Sequence, residues 1–329
     1  MKCINKLCQF RTGLLIMSFG MIFLTGCGRT KFDIPYDAYS VNSSFTLHSG
    51  GEAKKAETFA RDLCVADKNY NESAADMSES GAAALLSLDE CETLYAKNVH
   101  QQMNPASLTK VMTALVALKR GNRDDVLTAS SNVKVNESGA QVCGLEPGDV
   151  MTLDQALRIL LMYSANDVAI MIAEQYGGTV ENFCEMMNQE AKRLGATNCH
   201  FTNPNGLTDE AHYITAYDMY LIFNEACKYE LFKEIISMNS YSTVYFDKNG
   251  NEKTFEKNAT NWYLLGDTQP PSGITVIGGK TGTTTAAGHC LILLSSDTSG
   301  KSYISIILQS SERTVLYDEM NDLLGIINK

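Results

Sequence analysis

The fold of this chain is decided by residues 104–121, which read NPASLTKVMTALVALKRG. Asn104 can cap a helix, Pro105 suits its first position, and Gly121 can end it. The apolar side chains of residues 111–118 lie all the way round such a helix rather than along one stripe. Because a helix of that kind must be covered on every side, the stretch predicts a buried helix.

Predicted helices and strands divide the rest of the chain into three parts. Helical patterns cover residues 156–162, 167–176, 179–195 and 215–229, the first of them behind a capping box at Thr152–Gln155. Strand patterns lie on either side, at 83–89 and 92–98 as a hairpin and at 275–277, 290–295 and 303–309, before a last helix at 313–327. This order predicts an α+β fold, with an antiparallel sheet built from both chain ends, flanked by helices, and an inserted helical subdomain.

The composition excludes several classes of protein. The chain has 329 residues, 44% of them hydrophobic, which is enough for one large domain or two small ones. With 20% charged residues and 24 glycines it is neither disordered nor collagen-like. Its 38 acidic and 27 basic residues give a formal charge of −11, so we expect no nucleic acid partner.

The first 26 residues have the pattern of an export signal. Lys2, Lys6 and Arg11 precede an apolar run at 14–24, and the segment contains no acidic residue. The run is too short for a permanent helix across ~30 Å of hydrocarbon. It ends in LTGC, which resembles the bacterial lipobox and predicts cleavage before Cys27 and lipid attachment to that residue. An ordinary signal peptide that contains a cysteine is the alternative.

These signals predict three segments: a lipoprotein signal peptide at 1–26, a flexible tether at 27–56 and one globular domain at 57–329. The mature protein would then be extracytoplasmic and anchored to the bacterial cell membrane by its lipid. Losing 26 residues and three positive charges leaves 303 residues with a formal charge of −14.

The cysteine pattern predicts neither a metal site nor a disulfide framework. Seven cysteines follow Cys27, and an odd number cannot pair completely within one chain. None are spaced as C-x-x-C, no Cys/His cluster has zinc-site spacing, and the five histidines form no HExxH pattern. We therefore expect no metal or other cofactor, assign most of these thiols to apolar packing, and leave one disulfide open.

Ser107 and Lys110 are three residues apart at the start of the buried helix, so their side chains share one helix face. Burial disfavours the charged form of a lysine and lowers its pKa, and the positive end of the helix dipole acts in the same direction. A neutral lysine can accept the serine proton, which gives an activated nucleophile without histidine. The same spacing recurs at Ser131–Lys134, but that copy lies in a polar stretch without an apolar helix, and we interpret it as incidental.

Two further short motifs accompany this pair. Ser164-Ala165-Asn166 interrupts a helical region, as a loop between two helices would, although a plain polar helix junction has the same pattern. Lys280-Thr281-Gly282 occurs once, at the end of a β-favouring run, where its glycine leaves room for another backbone; a bulged edge strand is the alternative. A positive charge on Lys280 would help to keep Lys110 neutral.

In this order, Ser-x-x-Lys, Ser-x-Asn and Lys-Thr-Gly resemble the signature of penicillin-binding proteins and serine β-lactamases. The stretches 104–113, 199–207 and 280–288 are similar to those of the low-molecular-weight, DacA-type D-alanyl-D-alanine carboxypeptidases, and the resemblance extends over residues 57–329. It implies a β-lactamase/transpeptidase-like fold and a serine peptidase of the penicillin-binding protein family. Ala165 stands where many relatives have glycine, a change small enough to be tolerated.

The resemblance also implies the chemistry. Ser107 would attack the carbonyl between the two terminal D-alanines of a peptidoglycan stem peptide, with Lys110 as the base. Asn166 would hydrogen-bond the substrate amide or Lys110, and Ser164 with Lys280 would protonate the leaving D-alanine. Water would then hydrolyse the acyl-enzyme. β-Lactam antibiotics, which mimic the D-Ala-D-Ala end, would acylate the same serine.

A second group of residues is implied in substrate binding. The backbone N–H groups of the nucleophile and of Thr283, beside Gly282, would form the oxyanion hole. Lys280 and Thr281 would hold the terminal carboxylate of the substrate. Arg313 resembles the additional carboxylate-binding arginine of the family, with an ordinary surface charge as the alternative.

Three other functions stay open. A peptidoglycan DD-endopeptidase would carry the same motifs. A class A β-lactamase also needs a Glu-x-x-Leu-Asn segment between the second and third motifs, and none occurs between residues 166 and 280. A non-catalytic penicillin-binding lipoprotein would need the anchor but not three intact motifs.

Overall fold

The computed structural model describes residue 60 and residues 62–328. The signal peptide predicted at 1–26, the lipid site Cys27, the tether at 27–56 and the first residues of the predicted domain lie outside this described part. Within it, no helix is both long enough and apolar enough to cross a membrane.

The larger sheet of the domain has five antiparallel strands. They are β1 Ala82–Ser87, β2 Glu92–Lys97, β7 Ile274–Thr284, β8 Gly288–Asp297 and β9 Ser302–Ser310, in the order β2-β1-β9-β8-β7. β1 lies between β2 and β9, so a strand from the beginning of the domain pairs with one from its end. This pairing confirms the predicted sheet built from both chain ends.

Seven α-helices of the described residues lie between β2 and β7 along the chain. They are α1 Thr109–Arg120, α2 Leu153–Arg158, α3 Asn166–Gly177, α4 Val180–Leu194, α5 Ala216–Ala226, α6 Glu230–Ile236 and the short α7 Trp262–Leu265. α1 packs against α3, α4 and α5, and its residues 109–117 are all buried. A helix that is apolar all round needs such neighbours, and both the buried helix and the inserted helical subdomain are confirmed.

Alternate side chains of the five-stranded sheet enter two hydrophobic clusters, one on each face. Ile292 and Ile306 belong to the larger cluster, which contains the inserted helices. Leu291 and Ile307 belong to a smaller one, which is closed by the last helix, α8 Arg313–Leu324. Because successive strand residues point to opposite faces, the sheet is covered on both sides, and α8 packs against β8 and β9.

The start of α1 differs from the prediction. Residues Ala106–Leu108 form a 3-10 turn, and the N-cap positions are Pro105 and Leu108 rather than Asn104. Ala106 has a φ of 47°, a left-handed conformation that a continuous right-handed helix cannot contain. The predicted helix from Pro105 was therefore wrong in its first turn, and Ser107 lies in a strained turn rather than on the α-helix.

A second, four-stranded sheet was not predicted. Its strands are β3 Val126–Thr128, β4 Val150–Thr152, β5 Ser240–Phe246 and β6 Glu252–Asn258, in that order. Strands as short as β3 and β4 leave no readable alternation. β5 and β6 form a hairpin whose turn is closed by the Asp247 carboxylate, which accepts the backbone N–H groups of Asn249 and Asn251. Asp247-Lys248-Asn249-Gly250 is a turn signal that could have revealed this hairpin.

Most of the remaining elements agree with their predictions. The capping box at Thr152 and Gln155 opens α2, and Thr179 and Gly195 flank α4. The helix predicted at 156–162 is divided, because α2 gives way to a π-helix at Ile159–Tyr163. The seven cysteines in the described part of the chain are all free, so the disulfide left open by the sequence does not form among them.

Candidate active site

Ser107 and Lys110 are brought together at the start of α1. The strained turn before α1 presents the serine at the surface of a cleft, while the lysine is completely buried in the first turn of the helix. Lys110 Nζ lies 2.8 Å from Ser107 Oγ. The i, i+3 spacing therefore gives direct contact even though the serine itself precedes the α-helix.

Lys110 Nζ has two further neighbours, and both are carbonyl oxygens. It donates to Asn166 Oδ1 at 2.8 Å and to the backbone oxygen of Asn205 at 2.6 Å. A neutral amine has two N–H bonds and one lone pair, and a carbonyl oxygen can accept but not donate. In the neutral form the two carbonyls would occupy both N–H bonds and leave the lone pair for the hydroxyl of Ser107.

The electrostatic surroundings favour this neutral form. Burial lowers the pKa of Lys110 well below its usual value, and the positive charge of Lys280 lowers it further. The Asp167 carboxylate acts in the opposite direction but is the smallest of the three effects. Lys110 is thus equipped to accept a proton rather than to carry one.

Ser164 and Asn166 lie at the junction of two helices, as the sequence predicted. Ser164 follows the π-helix at Ile159–Tyr163 with a φ of 75°, and Asn166 opens α3. π-Helical turns and left-handed non-glycine residues are enriched at functional sites. Asn166 Nδ2 donates to the Gln141 backbone oxygen at 3.0 Å, which leaves its Oδ1 facing Lys110.

The loop that carries Gln141 is held by a carboxylate that the sequence analysis did not identify. Asp167 is buried and accepts the backbone N–H groups of Cys143, Gly144 and Leu145 at distances of 2.8 to 3.0 Å. Because Asp167 directly follows Asn166, the same short segment fixes both the amide that faces the base and the loop behind that amide.

Lys280-Thr281-Gly282 lies inside β7, which is an edge strand of the five-stranded sheet with a register shift between Val276 and Gly278. The motif and the bulged edge strand offered as its alternative therefore coexist. Lys280 is buried, its Nζ lies 3.0 Å from Ser164 Oγ, and burial lowers its pKa to about 7. An added Cβ at Gly282 would lie 3.1 Å from the Ser107 nitrogen, so β7 passes directly beside the nucleophile turn.

A cleft of about 790 Å³ opens between these elements. Its lining includes Ser107, Ser164, Asn166, Thr281, Gly282, Thr283 and Arg313. It also contains charged side chains that no motif indicated, Glu137 on one loop and Lys257 at the end of β6.

Arg313 lies at the rim of the cleft at the first residue of α8. Its guanidinium carbon is 5.9 Å from the ring centroid of Trp262, within reach of a cation–π contact. Trp262 in turn stacks on Tyr317 at a centroid distance of 4.7 Å and donates its backbone N–H to the Tyr317 hydroxyl. Arg313 is exposed, and one side of its guanidinium contacts this aromatic pair.

The predicted site residues from all three motifs thus meet in one place, whereas the incidental Ser-x-x-Lys match does not contribute. Ser131 and Lys134 are exposed and lie on a separate 3-10 turn. The backbone oxygens of Gln141 and Asn205 were not predicted from the sequence, because every residue carries a carbonyl and no pattern distinguishes these two. Among the described residues, no group of three or more His, Cys, Asp or Glu side chains is arranged to hold a metal ion.

The chain is similar to one known protein family over most of its length. Residues 68–312 match the model of the family Peptidase S11, D-alanyl-D-alanine carboxypeptidase. The chain is 34% identical over 219 residues to D-alanyl-D-alanine carboxypeptidase DacF of Bacillus subtilis (65% of this chain, 53% of the relative). It is 31% identical over 232 residues to the D-alanyl-D-alanine carboxypeptidase of Streptomyces sp. strain K15 (67% and 77%). The chain spans about half the length of the Bacillus relative.

A solved structure of a related protein has a similar fold. The crystal structure of the Streptomyces K15 DD-transpeptidase superposes with a TM-score of 0.70 at 27% identity, covering 77% of this chain and 98% of that one. The α+β architecture expected from the resemblance is thereby confirmed. Since the family model covers more than half of the sequence and all three motifs lie within it, the chain belongs to the D-alanyl-D-alanine carboxypeptidase family, Peptidase S11.

Proposed function

We propose that this protein is a serine D-Ala-D-Ala carboxypeptidase that removes the terminal D-alanine from peptidoglycan stem peptides through an acyl-enzyme on Ser107. The observation that carries the proposal is the environment of Lys110. Its amine lies within hydrogen-bond distance of two carbonyl oxygens and 2.8 Å from the Ser107 hydroxyl, whose proton the neutral amine would accept. This is the arrangement that an activated serine requires.

Acylation begins when Ser107 Oγ attacks the carbonyl carbon of the penultimate D-alanine and its proton passes to Lys110. The negative oxygen that develops needs donors that are already in place. The backbone N–H groups of Ser107 and Thr283 would supply them, since β7 passes beside the nucleophile turn at Gly282.

Departure of the terminal D-alanine requires a proton on its nitrogen and a hold on its carboxylate. Ser164, hydrogen-bonded to Lys280, would transfer the proton as the C–N bond breaks. Lys280, the Thr281 hydroxyl and Arg313 would hold the carboxylate, because Thr281 and Arg313 line the cleft and Lys280 directly precedes Thr281 in β7. Water then hydrolyses the ester and restores Ser107.

β-Lactams should acylate the same serine, because their strained amide presents a carbonyl beside a carboxylate, as D-Ala-D-Ala does. The lifetime of the resulting ester distinguishes a carboxypeptidase from a β-lactamase. A carboxypeptidase of this kind retains the penicilloyl group, whereas a β-lactamase hydrolyses it rapidly.

The location of the enzyme is proposed from the sequence alone. A signal peptide at 1–26 and a lipidated Cys27 would place the domain outside the cytoplasm, on the surface of the bacterial cell membrane, where the stem peptides are. Replacing Cys27 by alanine should release the protein from the membrane fraction and abolish incorporation of a labelled fatty acid. Retention of both in the variant would exclude this anchor.

Release of free D-alanine from a peptide that ends in D-Ala-D-Ala tests the activity. The wild type should release it and should be labelled by a fluorescent penicillin, and Ser107→Ala should do neither. Ser131→Ala is the matched control, since it removes the exposed serine of the incidental motif and should change nothing. Cleavage of cross-linked wall dimers without D-alanine release would instead identify an endopeptidase, and rapid turnover of a chromogenic cephalosporin a β-lactamase.

A further inference from the structure

His212 is a buried histidine that belongs to none of the three motifs. It lies between the 199–207 stretch and α5, it is 2% exposed, and its ring meets the Phe201 ring edge-on at 5.7 Å. Its two ring nitrogens point in opposite directions. Nε2 lies 2.9 Å from Thr109 Oγ1, and Nδ1 lies 3.1 Å from the backbone nitrogen of Thr202.

The hydrogen bonds at the two ring nitrogens of His212 require the same tautomer of the imidazole. The Thr109 hydroxyl donates to the backbone oxygen of Ala106 at 2.9 Å, so its proton is used and it must accept from His212 Nε2. The backbone N–H of Thr202 can only donate, so Nδ1 must accept. His212 is therefore neutral with its proton on Nε2, and a chain of three hydrogen bonds runs from Thr202 to Ala106.

This chain ends on the peptide unit that contains the nucleophile's own N–H. The carbonyl of Ala106 and the amide of Ser107 belong to one planar peptide, so whatever orients the oxygen also orients the N–H. Ala106 holds a left-handed φ of 47°, which costs a non-glycine residue free energy and needs support from its surroundings. Gly206 packs so close to the Ala106 oxygen that a Cβ there would lie 1.8 Å away.

We propose that His212 is a positioning residue: through the Thr109 hydroxyl it holds the Ala106–Ser107 peptide in the orientation that directs the Ser107 N–H into the oxyanion hole. The inference rests on the proposed function and adds a residue outside its motifs. His212 touches neither substrate nor nucleophile. It acts on the transition state, because the oxyanion forms only there.

The surroundings keep the imidazole of His212 neutral. Burial lowers its pKa to about 4, the Asp209 carboxylate opposes that effect, and His200 adds to it. Protonation would place a second N–H on Nδ1, opposite the backbone N–H of Thr202, and would break the first hydrogen bond of the chain. Near neutral pH the histidine therefore stays in its neutral form.

The test compares two variants of the full-length protein by their acylation with a fluorescent penicillin. His212→Phe keeps the ring and its contact with Phe201 but removes both nitrogens. His212→Gln restores an N–H donor near the position of Nε2. We expect His212→Phe to lower the acylation rate constant about 10-fold or more while the dissociation constant of the preceding complex changes little, and His212→Gln to recover most of that loss. Circular dichroism and thermal unfolding establish that both variants are folded at the assay temperature.

A second measurement separates positioning from general packing. In a Thr109→Val background the hydrogen-bond chain is already broken, so His212→Phe should have little additional effect on acylation. The inference is overturned if His212→Phe acylates at the wild-type rate, if His212→Gln is as slow as His212→Phe, or if the loss persists in the Thr109→Val background. Absence of labelling in the wild type itself would overturn the proposed function, and the inference with it.

Discussion

Lys280 Nζ lies 3.0 Å from Ser164 Oγ, although 116 positions separate the two residues along the chain. Both side chains are buried, and Lys280 also donates to the Thr281 carbonyl at 2.8 Å. Burial lowers the pKa of Lys280 to about 7, so this lysine loses its charge near neutral pH. While the charge is present, it helps to lower the pKa of Lys110. The two lysines are therefore coupled across the site.

The pH profile of the acylation rate should consequently be bell-shaped. It should rise with pH as Lys110 loses its proton, because a neutral amine is needed to accept the proton of Ser107. It should fall again above about pH 7 as Lys280 becomes neutral, because the neutral amine attracts the substrate carboxylate less and has one proton fewer to give to Ser164. Stopped-flow acylation by a penicillin across this range measures the profile.

Lys280→Arg is the matched control for this profile. Arginine stays charged throughout the accessible pH range, so the decline on the alkaline side should disappear while the acid side remains. An alkaline decline that survives in the arginine variant would show that a different group titrates there.

The same buried lysine should make stability depend on pH. Its pKa is about 7 in the folded protein and 10.5 in a solvated reference state, so between these values the unfolded chain binds one more proton. Lys280 should then raise the free energy of unfolding with pH by up to about 1.4 kcal/mol per pH unit in this interval. Buried thiols such as Cys64, whose pKa is raised to about 11, act in the opposite direction, so the quantity to measure is a difference between variants.

Lys280→Met supplies that difference. Methionine fills the same space without a charge, so the variant should show a shallower rise, or a steeper fall, of unfolding free energy between about pH 7 and about pH 10 than the wild type. Urea unfolding at several pH values measures both curves. Parallel curves would mean that Lys280 keeps its proton in the folded state.

The sequence predicted the α+β fold and the meeting of the three motifs, because both depend on patterns of residue type. Buried α1 followed from apolar side chains on every face, and the five-stranded sheet from strands at both ends. The site was predicted from the order of the three motifs, because no local sequence signal relates Lys280 to Ser164 across the intervening chain.

Some backbone features of the site leave no pattern in the sequence. The left-handed conformation of Ala106 overrides a capping pattern at Asn104 and is set by tertiary contacts, among them Gly206 against its carbonyl. The backbone oxygen of Asn205 accepts from Lys110, but a backbone acceptor leaves no trace in residue type. The hairpin of β5 and β6 did have a signal, its Asp-Lys-Asn-Gly turn, and was missed because half-exposed strands alternate weakly.

Arg313→Leu should weaken substrate binding more than it slows the chemical step. The guanidinium lies over Trp262 at the cleft, and in the proposed function it would pair with the carboxylate of the terminal D-alanine. Loss of one charge-assisted contact corresponds to a rise of KM by about 10-fold or more, with a smaller change in kcat. Steady-state release of D-alanine gives both constants.

Trp262→Leu tests the aromatic support of that arginine. The variant keeps the charge but removes the platform, so KM should rise less, by about 2- to 5-fold. Trp262 is the single tryptophan of the chain, so in the parent protein its fluorescence should change when a penicillin binds at the cleft. Equal KM values for Trp262→Leu and the wild type would show that the arginine needs no such support.

Asp167→Ala should destabilise the fold and slow acylation together. The carboxylate accepts three backbone N–H groups of the loop 143–145, which lies two residues beyond Gln141. Removing it leaves these partly buried donors without an acceptor, at a cost of roughly 3 kcal/mol in the free energy of unfolding. Acylation should fall as well, because Gln141 holds the Asn166 amide that faces Lys110.

Asp167→Asn separates the two effects. Its remaining carbonyl oxygen can accept from part of the loop, so the loss of stability should be about half that of Asp167→Ala. The asparagine also removes the negative charge that raises the pKa of Lys110, so the acid side of the acylation profile should move to lower pH. Urea unfolding and the pH profile of acylation measure the two consequences independently. An acid side that does not move would mean that the Asp167 charge does not reach the base.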